Sequence, residues 1–122
     1  MQHISGISRY QMRISSLEDA ISPDNQVRFI DAFVSYVDLS KLGFSVKTIK
    51  MEGRPSYNSQ VFLKIYLYGY LNGLRSSRKL EKECFRNIEM QWLLEDIRPN
   101  YHSISYFRKN NPVALKNLFK LF

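Results

Sequence analysis

Residues 58–72 place the strongest limit on the fold. Asn58 or Ser59 is positioned to cap a helix that runs to about Asn72, with Gly73 just beyond its end. Between them Val61, Phe62, Leu63, Ile65, Tyr66, Leu67, Tyr68, Tyr70 and Leu71 leave almost no polar face. A helix that is apolar nearly all round has to be central, with other elements covering several of its sides. Lipid is no substitute cover, because the run from Val61 to Leu71 has only 11 residues and includes Lys64, against about 20 needed to span a bilayer. Gly69 in its middle costs about 1 kcal/mol relative to alanine, which close approach of another helix would offset. The tyrosines read as core-edge residues with hydroxyls at the surface; the alternative is a platform for stacking bases.

The remaining segments supply the cover. Ser22-Pro23-Asp24 combines a hydroxyl cap, a first-turn proline and an acid at the positive helix end. The spacing then predicts a helix over 24–38, with Val27, Ile30, Val34 and Val37 on one stripe widened by Phe29 and Phe33. It should end through Leu42 at a left-handed Gly43. A connector over 44–55 carries Lys47, Lys50 and Arg54. Further helices are expected over 77–86 (Leu80 and Cys84 inward), 89–94 (Trp92 and Leu93 as anchors) and from His102 or Ser103 to 110 (Ile104 and Phe107 inward). Pro112 opens a last amphipathic segment with Val113, Leu115, Leu118, Phe119 and Phe122. Residues 11–17 alternate weakly and form one short strand or lie extended. The expected fold is all-α, a small domain of five to six helices with a helix-turn-helix-like arrangement. Residues 1–17 form an extended segment and residues 18–122 the helical domain.

Length and composition agree with one folded domain. The chain has 122 residues, 44% of them hydrophobic and 14% aromatic, which argues against disorder. The opening residues have no apolar core of signal-peptide type. The single cysteine, Cys84, excludes an internal disulfide and fits a reducing compartment.

Charge is distributed unevenly. Residues 1–40 hold three arginines against five acids, whereas residues 41–86 hold ten basic residues against three acids. The net charge of +7 therefore concentrates in the middle third. Such an excess suits a polyanion, nucleic acid first and acidic lipid second; a basic surface that merely keeps the chain soluble is the alternative.

Two clusters could carry chemistry, one inside this region and one beyond it. Arg75-Ser76-Ser77-Arg78-Lys79 opens a helix, where cations oppose the macrodipole by about 0.3–1 kcal/mol each. Three cations, two hydroxyls and unpaired backbone N–H groups make an anion site suited to DNA phosphate. Lys82 and Arg86 follow Arg78 at four-residue intervals and extend one basic stripe. A solvated helix balanced by Glu81 and Glu83 is the alternative. In the second cluster Tyr101, His102, Ser103, Ser105, Tyr106, Arg108 and Lys109 surround the inward pair Ile104 and Phe107. Ser103, Ser105, Tyr106, Arg108 and Lys109 should point outward, able to reach phosphates or base edges. The helices over 77–86, 89–94 and 103–110 resemble a helix-turn-helix, although the eight-residue gap after Leu94 exceeds the usual three or four.

Catalytic patterns are missing. His3, His102 and one cysteine make no zinc motif, and no GxxxxGK[ST], GxGxxG or GxSxG occurs. Glu81/Glu83 and Glu95/Asp96 look like ordinary surface pairing, and Cys84 reads as core rather than nucleophile. No cofactor, metal or catalytic residue is expected.

The runs Gly53-Arg54-Pro55-Ser56-Tyr57, Leu67-Tyr68-Gly69-Tyr70-Leu71-Asn72-Gly73 and Arg75-Ser76-Ser77-Arg78-Lys79-Leu80-Glu81 together make a pattern that resembles the N-terminal domain of InsH-type insertion-sequence transposases, of the DDE class. It continues through Cys84, Arg86-Asn87, Trp92-Leu93, Arg98-Pro99 and Ser103-Ile104-Ser105-Tyr106-Phe107-Arg108, with Pro23 and Val27-Arg28-Phe29-Ile30-Asp31 upstream. It spans about residues 10–120. The resemblance implies a helical module that binds the terminal inverted repeats of the element as double-stranded DNA, in the bacterial cytoplasm at the nucleoid. In complete relatives a ribonuclease-H-like domain with an Asp-Asp-Glu triad follows, and this chain ends about where that domain would begin. The expectation is therefore a DNA-binding module that is not itself an enzyme. Expected DNA contacts are Arg54, Arg75, Ser76, Ser77, Arg78, Lys79, Lys82, Arg86, Tyr101, His102, Ser103, Ser105, Tyr106, Arg108 and Lys109. The alternative is an interaction module that pairs with its own copy or a full-length transposase through the central helix and the C-terminal segment. No membrane partner is expected.

Overall fold

The computed structural model describes residues 2–44 and 57–122. Among these residues the fold is all-helical: α1 Gln26–Tyr36, α2 Leu39–Leu42, α3 Ser59–Asn72, α4 Ser77–Arg86, α5 Ile88–Leu94, α6 Tyr101–Asn110 and α7 Pro112–Leu121, preceded by a 3-10 turn at Glu18–Ala20. None of these helices is long and apolar enough to cross a membrane. Residues 2–15 make no strand; Ile4, Tyr10, Met12 and Ile14 stand in solvent.

Local chemistry explains most boundaries. Asn58 caps α3 through Gln60 N–H, and Gly73 closes it at φ 71°. Pro112 opens α7. The first helix differs from expectation at both ends. Asn25, not Ser22, is its cap, with the side chain accepting from Val27 N–H at 2.9 Å, so Pro23 lies outside the helix. Val37 is extended, and Asp38 starts the separate α2 through Ser40 N–H, which splits the expected single helix before the left-handed Gly43.

Helix α3 is the centre. Helices α1, α5 and α7 pack on it, α4 packs on α5 and α6, and α7 also meets α2 and α6. Its buried residues run continuously from Val61 to Gly69 apart from Lys64, whose ammonium pairs with Asp31 of α1 at 2.9 Å. Aromatic rings tie the layers together: Phe107 of α6 stacks on Phe62 at 5.0 Å and on Phe44 at 5.8 Å, while Phe122 meets Phe33 edge-on at 5.0 Å. Such pairs contribute about 0.5–1.5 kcal/mol each beyond their area burial.

The tyrosines correct the expectation of surface hydroxyls. Tyr66 and Tyr68 are buried, and each hydroxyl has an internal partner. Tyr66 donates to the Ile104 carbonyl of α6. Tyr68 donates to Glu89 at 2.9 Å and accepts from Asn87 at 2.7 Å. Glu89 in turn accepts from Asn25, the cap of α1, at 2.7 Å. One network therefore joins the caps of α1 and α5 across the central helix. Only Tyr70 follows expectation, 58% exposed at the last turn of α3.

Candidate nucleic-acid interface

The α3–α4 connection places both basic clusters. Gly69 sits where a Cβ would meet the Leu74 carbonyl at 2.5 Å and Leu80 at 3.0 Å, so the chain turns tightly over α3 into α4. Ser76 caps α4, its hydroxyl oxygen accepting from Lys79 N–H at 3.4 Å. Arg75, Arg78 and Lys79 are consequently exposed around one helix start that has no acid in its first turn. Ser77 is half-buried.

Two sets of contacts fix α6 against α4. The Glu81 carboxylate accepts from Tyr101 N–H at 2.7 Å, and Asn100 accepts from Ser103 N–H at 2.9 Å, so α6 begins at Tyr101 rather than at His102 or Ser103. The Arg78 guanidinium lies 4.5 Å from the Tyr101 ring centroid. At the other end Arg108 donates to the Arg75 carbonyl at 2.8 Å and lies 5.1 Å from the Tyr66 ring. The two expected clusters thus form one surface. His102, Ser105, Tyr106 and Lys109 recur at helical spacing along the exposed side of α6, Tyr106 being 54% exposed.

Several expectations need correction. Ser103 is 3% exposed and faces inward beside Ile104 and Phe107, because helical spacing places 103 on the same buried side as 107. Arg86 is engaged by Glu83, Nε to Oε1 at 2.9 Å, so the basic stripe weakens at its far end. Glu83 is no surface acid: it is buried and also accepts from Asn87 at 2.8 Å. Glu81 is likewise a structural tie between helices. The central helix is buried and offers no broad docking face, whereas Val113 and Leu121 of α7 remain exposed. Arg54, with Lys47 and Lys50, lies outside the described residues. Lys79, Lys82 and Lys109 have no acidic partner among the described residues, and neither do Arg75 and Arg78.

The helical order around this surface is specific. Asn87 both ends α4 and caps α5, a one-residue junction, and residues 95–100 then lead to α6. Glu95 and Asp96 turn the chain in left-handed conformations, φ 50° and 63°. Helix α6 returns to lie mainly on α4. Sequence reading did not foresee the contacts of Arg98, whose guanidinium lies 5.0 Å from the Phe85 ring and 3.5 Å from the Asp96 carboxylate, or the interhelical role of Tyr101.

Burial limits other chemistry. It pushes the Cys84 thiol up to about 12, with Glu81 and Glu83 adding to the effect, so the thiolate nucleophile is suppressed. Burial also raises the Tyr66 hydroxyl to about 12 against the opposing Arg108 charge. Among the described residues no three His, Cys, Asp or Glu side chains gather in a group able to hold a metal ion.

No curated protein and no solved structure matches the chain. The family described as Transposase domain (DUF772) matches residues 15–110. That span runs from the segment before the 3-10 turn to the end of α6 and contains the central helix with both basic clusters. The chain belongs to the transposase domain family.

Proposed function

We propose that this chain is the DNA-binding N-terminal module of an InsH-type insertion-sequence transposase and recognises the terminal inverted repeats of its element. The carrying observation is the α4–α6 surface, where Arg75, Arg78, Lys79, Lys82 and Lys109 stand without acidic partners among the described residues. Uncompensated cations beside a helix start favour phosphate. The exposed polar side of α6, with His102, Ser105 and Tyr106, supplies groups that can contact the backbone or base edges as part of a helix-turn-helix-like reader. On this reading strand cleavage is not the work of this module, in keeping with Glu81, Glu89 and Asp31 being engaged in bonds between helices.

The test is duplex binding across a salt series. Five phosphate contacts give a slope of log affinity against log salt of about −4 to −5. Arg78→Ala and Lys79→Ala should weaken binding to all sequences alike and each reduce the slope by about 1. Affinity that does not change with salt rejects the proposal, and equal affinity for inverted-repeat and scrambled duplexes rejects the recognition of ends.

A further inference from the structure

Beside the α4–α6 surface, α3, the α3–α4 connection, the end of α6 and α7 enclose a concavity of about 370 Å³. That volume falls within the range of small-molecule clefts. One wall is aromatic: Tyr70 of α3 and Phe119 of α7 lie nearly parallel, with centroids 4.9 Å apart and planes 9° apart. Buried Leu115 also lines it. The other lining residues include Arg75, Arg108 and Lys116, and no Asp or Glu lines the concavity. None of these three cations forms an acidic pair among the described residues. The Arg108 guanidinium is held in place by the Arg75 carbonyl and the Tyr66 ring.

An aromatic wall with an uncompensated cationic rim complements a flat aromatic group that carries an anion. Paired duplex DNA offers phosphates but hides its base faces in the stack; an unpaired nucleotide offers both. We infer that this concavity binds an unpaired nucleotide, its base against Tyr70 and Phe119 and its phosphate toward Arg75 and Lys116. The inference rests on the DNA-binding reading for its preferred source, an unpaired position in the strand; a free mononucleotide presents the same chemistry.

The full chain is titrated by fluorescence anisotropy with a blunt duplex, with the same duplex carrying a three-nucleotide single-stranded overhang, and with deoxyadenosine monophosphate as competitor. The overhang should tighten binding about tenfold, the contribution of one base stacked on a ring. Tyr70→Leu should remove most of that gain and leave blunt-duplex affinity within about twofold. Tyr70 is 58% exposed and leucine keeps apolar contact with Phe119, so the variant should fold; Lys116→Gln, at an exposed position of α7, tests the rim if it does not. Mononucleotide binding that depends on Tyr70, without an overhang gain, supports the site and assigns it to free nucleotide. Equal affinity for both duplexes with no mononucleotide binding overturns the inference and leaves the duplex reading standing. Loss of blunt-duplex binding with Tyr70-dependent mononucleotide binding fails the duplex reading alone. An acidic peptide containing phenylalanine that removes the overhang gain as well as the nucleotide does also overturns the inference, in favour of a protein ligand.

Discussion

Tyr68 carries more of the architecture than its residue type suggests. Its hydroxyl joins Glu89 and Asn87, and through them the caps of two helices. Tyr68→Phe should cost about 1–3 kcal/mol, because Glu89 and Asn87 each lose a partner in a half-buried site. Urea titration measures it, and an unchanged midpoint would show that water replaces the hydroxyl. The same burial gives a pH signature. Tyr66 and Tyr68 are both raised from the ordinary phenol value near 10 to about 12 in the folded chain. A raised acid favours the protonated hydroxyl in the native state, so its contribution is whole below pH 10 and is lost as pH climbs toward 12. The fall in stability across that window should be shallower when both tyrosines are phenylalanine. None of this was legible locally: the partners of Tyr68 lie 19 and 21 residues away, and that of Tyr66 lies 38 away.

Helix α3 shows propensity and packing opposed at one residue, Gly69, where the expected close approach of another element is present. Propensity alone makes Gly69→Ala favourable by about 1 kcal/mol. In the fold, the new Cβ would lie 2.5 Å from the Leu74 carbonyl, which is backbone and cannot swing aside. The net effect should be a loss of about 1–3 kcal/mol, the usual cost of overpacking, and the proposed duplex binding should weaken with it because the α3–α4 turn sets Arg75 and Arg78. A thermal melt that rises for Gly69→Ala would contradict the tight turn. Caps made by neighbours in sequence, such as Asn58 for α3, Ser76 for α4 and Pro112 for α7, mark their helices plainly. The start of α6 also has a local cap, Asn100 accepting from Ser103 N–H, to which Glu81, twenty residues upstream, adds a bond from Tyr101 N–H that the sequence does not reveal.

Taken together, α4 and α6 gather cations without acidic partners among the described residues, and the proposed duplex binding would then respond to salt in the opposite sense to folding. Arg78 and Lys79 in the first turn of α4 oppose its dipole. Screening relieves that repulsion in the free chain, so raising salt from about 20 to about 300 mM should stabilise it by up to about 1 kcal/mol while duplex binding weakens. Lys79→Gln should recover about 0.3–1 kcal/mol at low salt and blunt the response. Chemical denaturation at the two salt levels measures both; a stability that falls with salt would contradict the strain. The basic excess and the all-apolar central helix are properties of composition and helical periodicity, so they stand in the chain before any folding. Which cations remain free is different. Arg86 is withdrawn by Glu83, Arg108 is bound back to Arg75 and Tyr66, and Ser103 is turned inward. The Arg86 pair is a three-residue contact inside α4 and the turn of Ser103 follows helical spacing, but the tethering of Arg108 depends on packing α6 against α4 and α3, segments 33 or more residues apart that no local preference brings together.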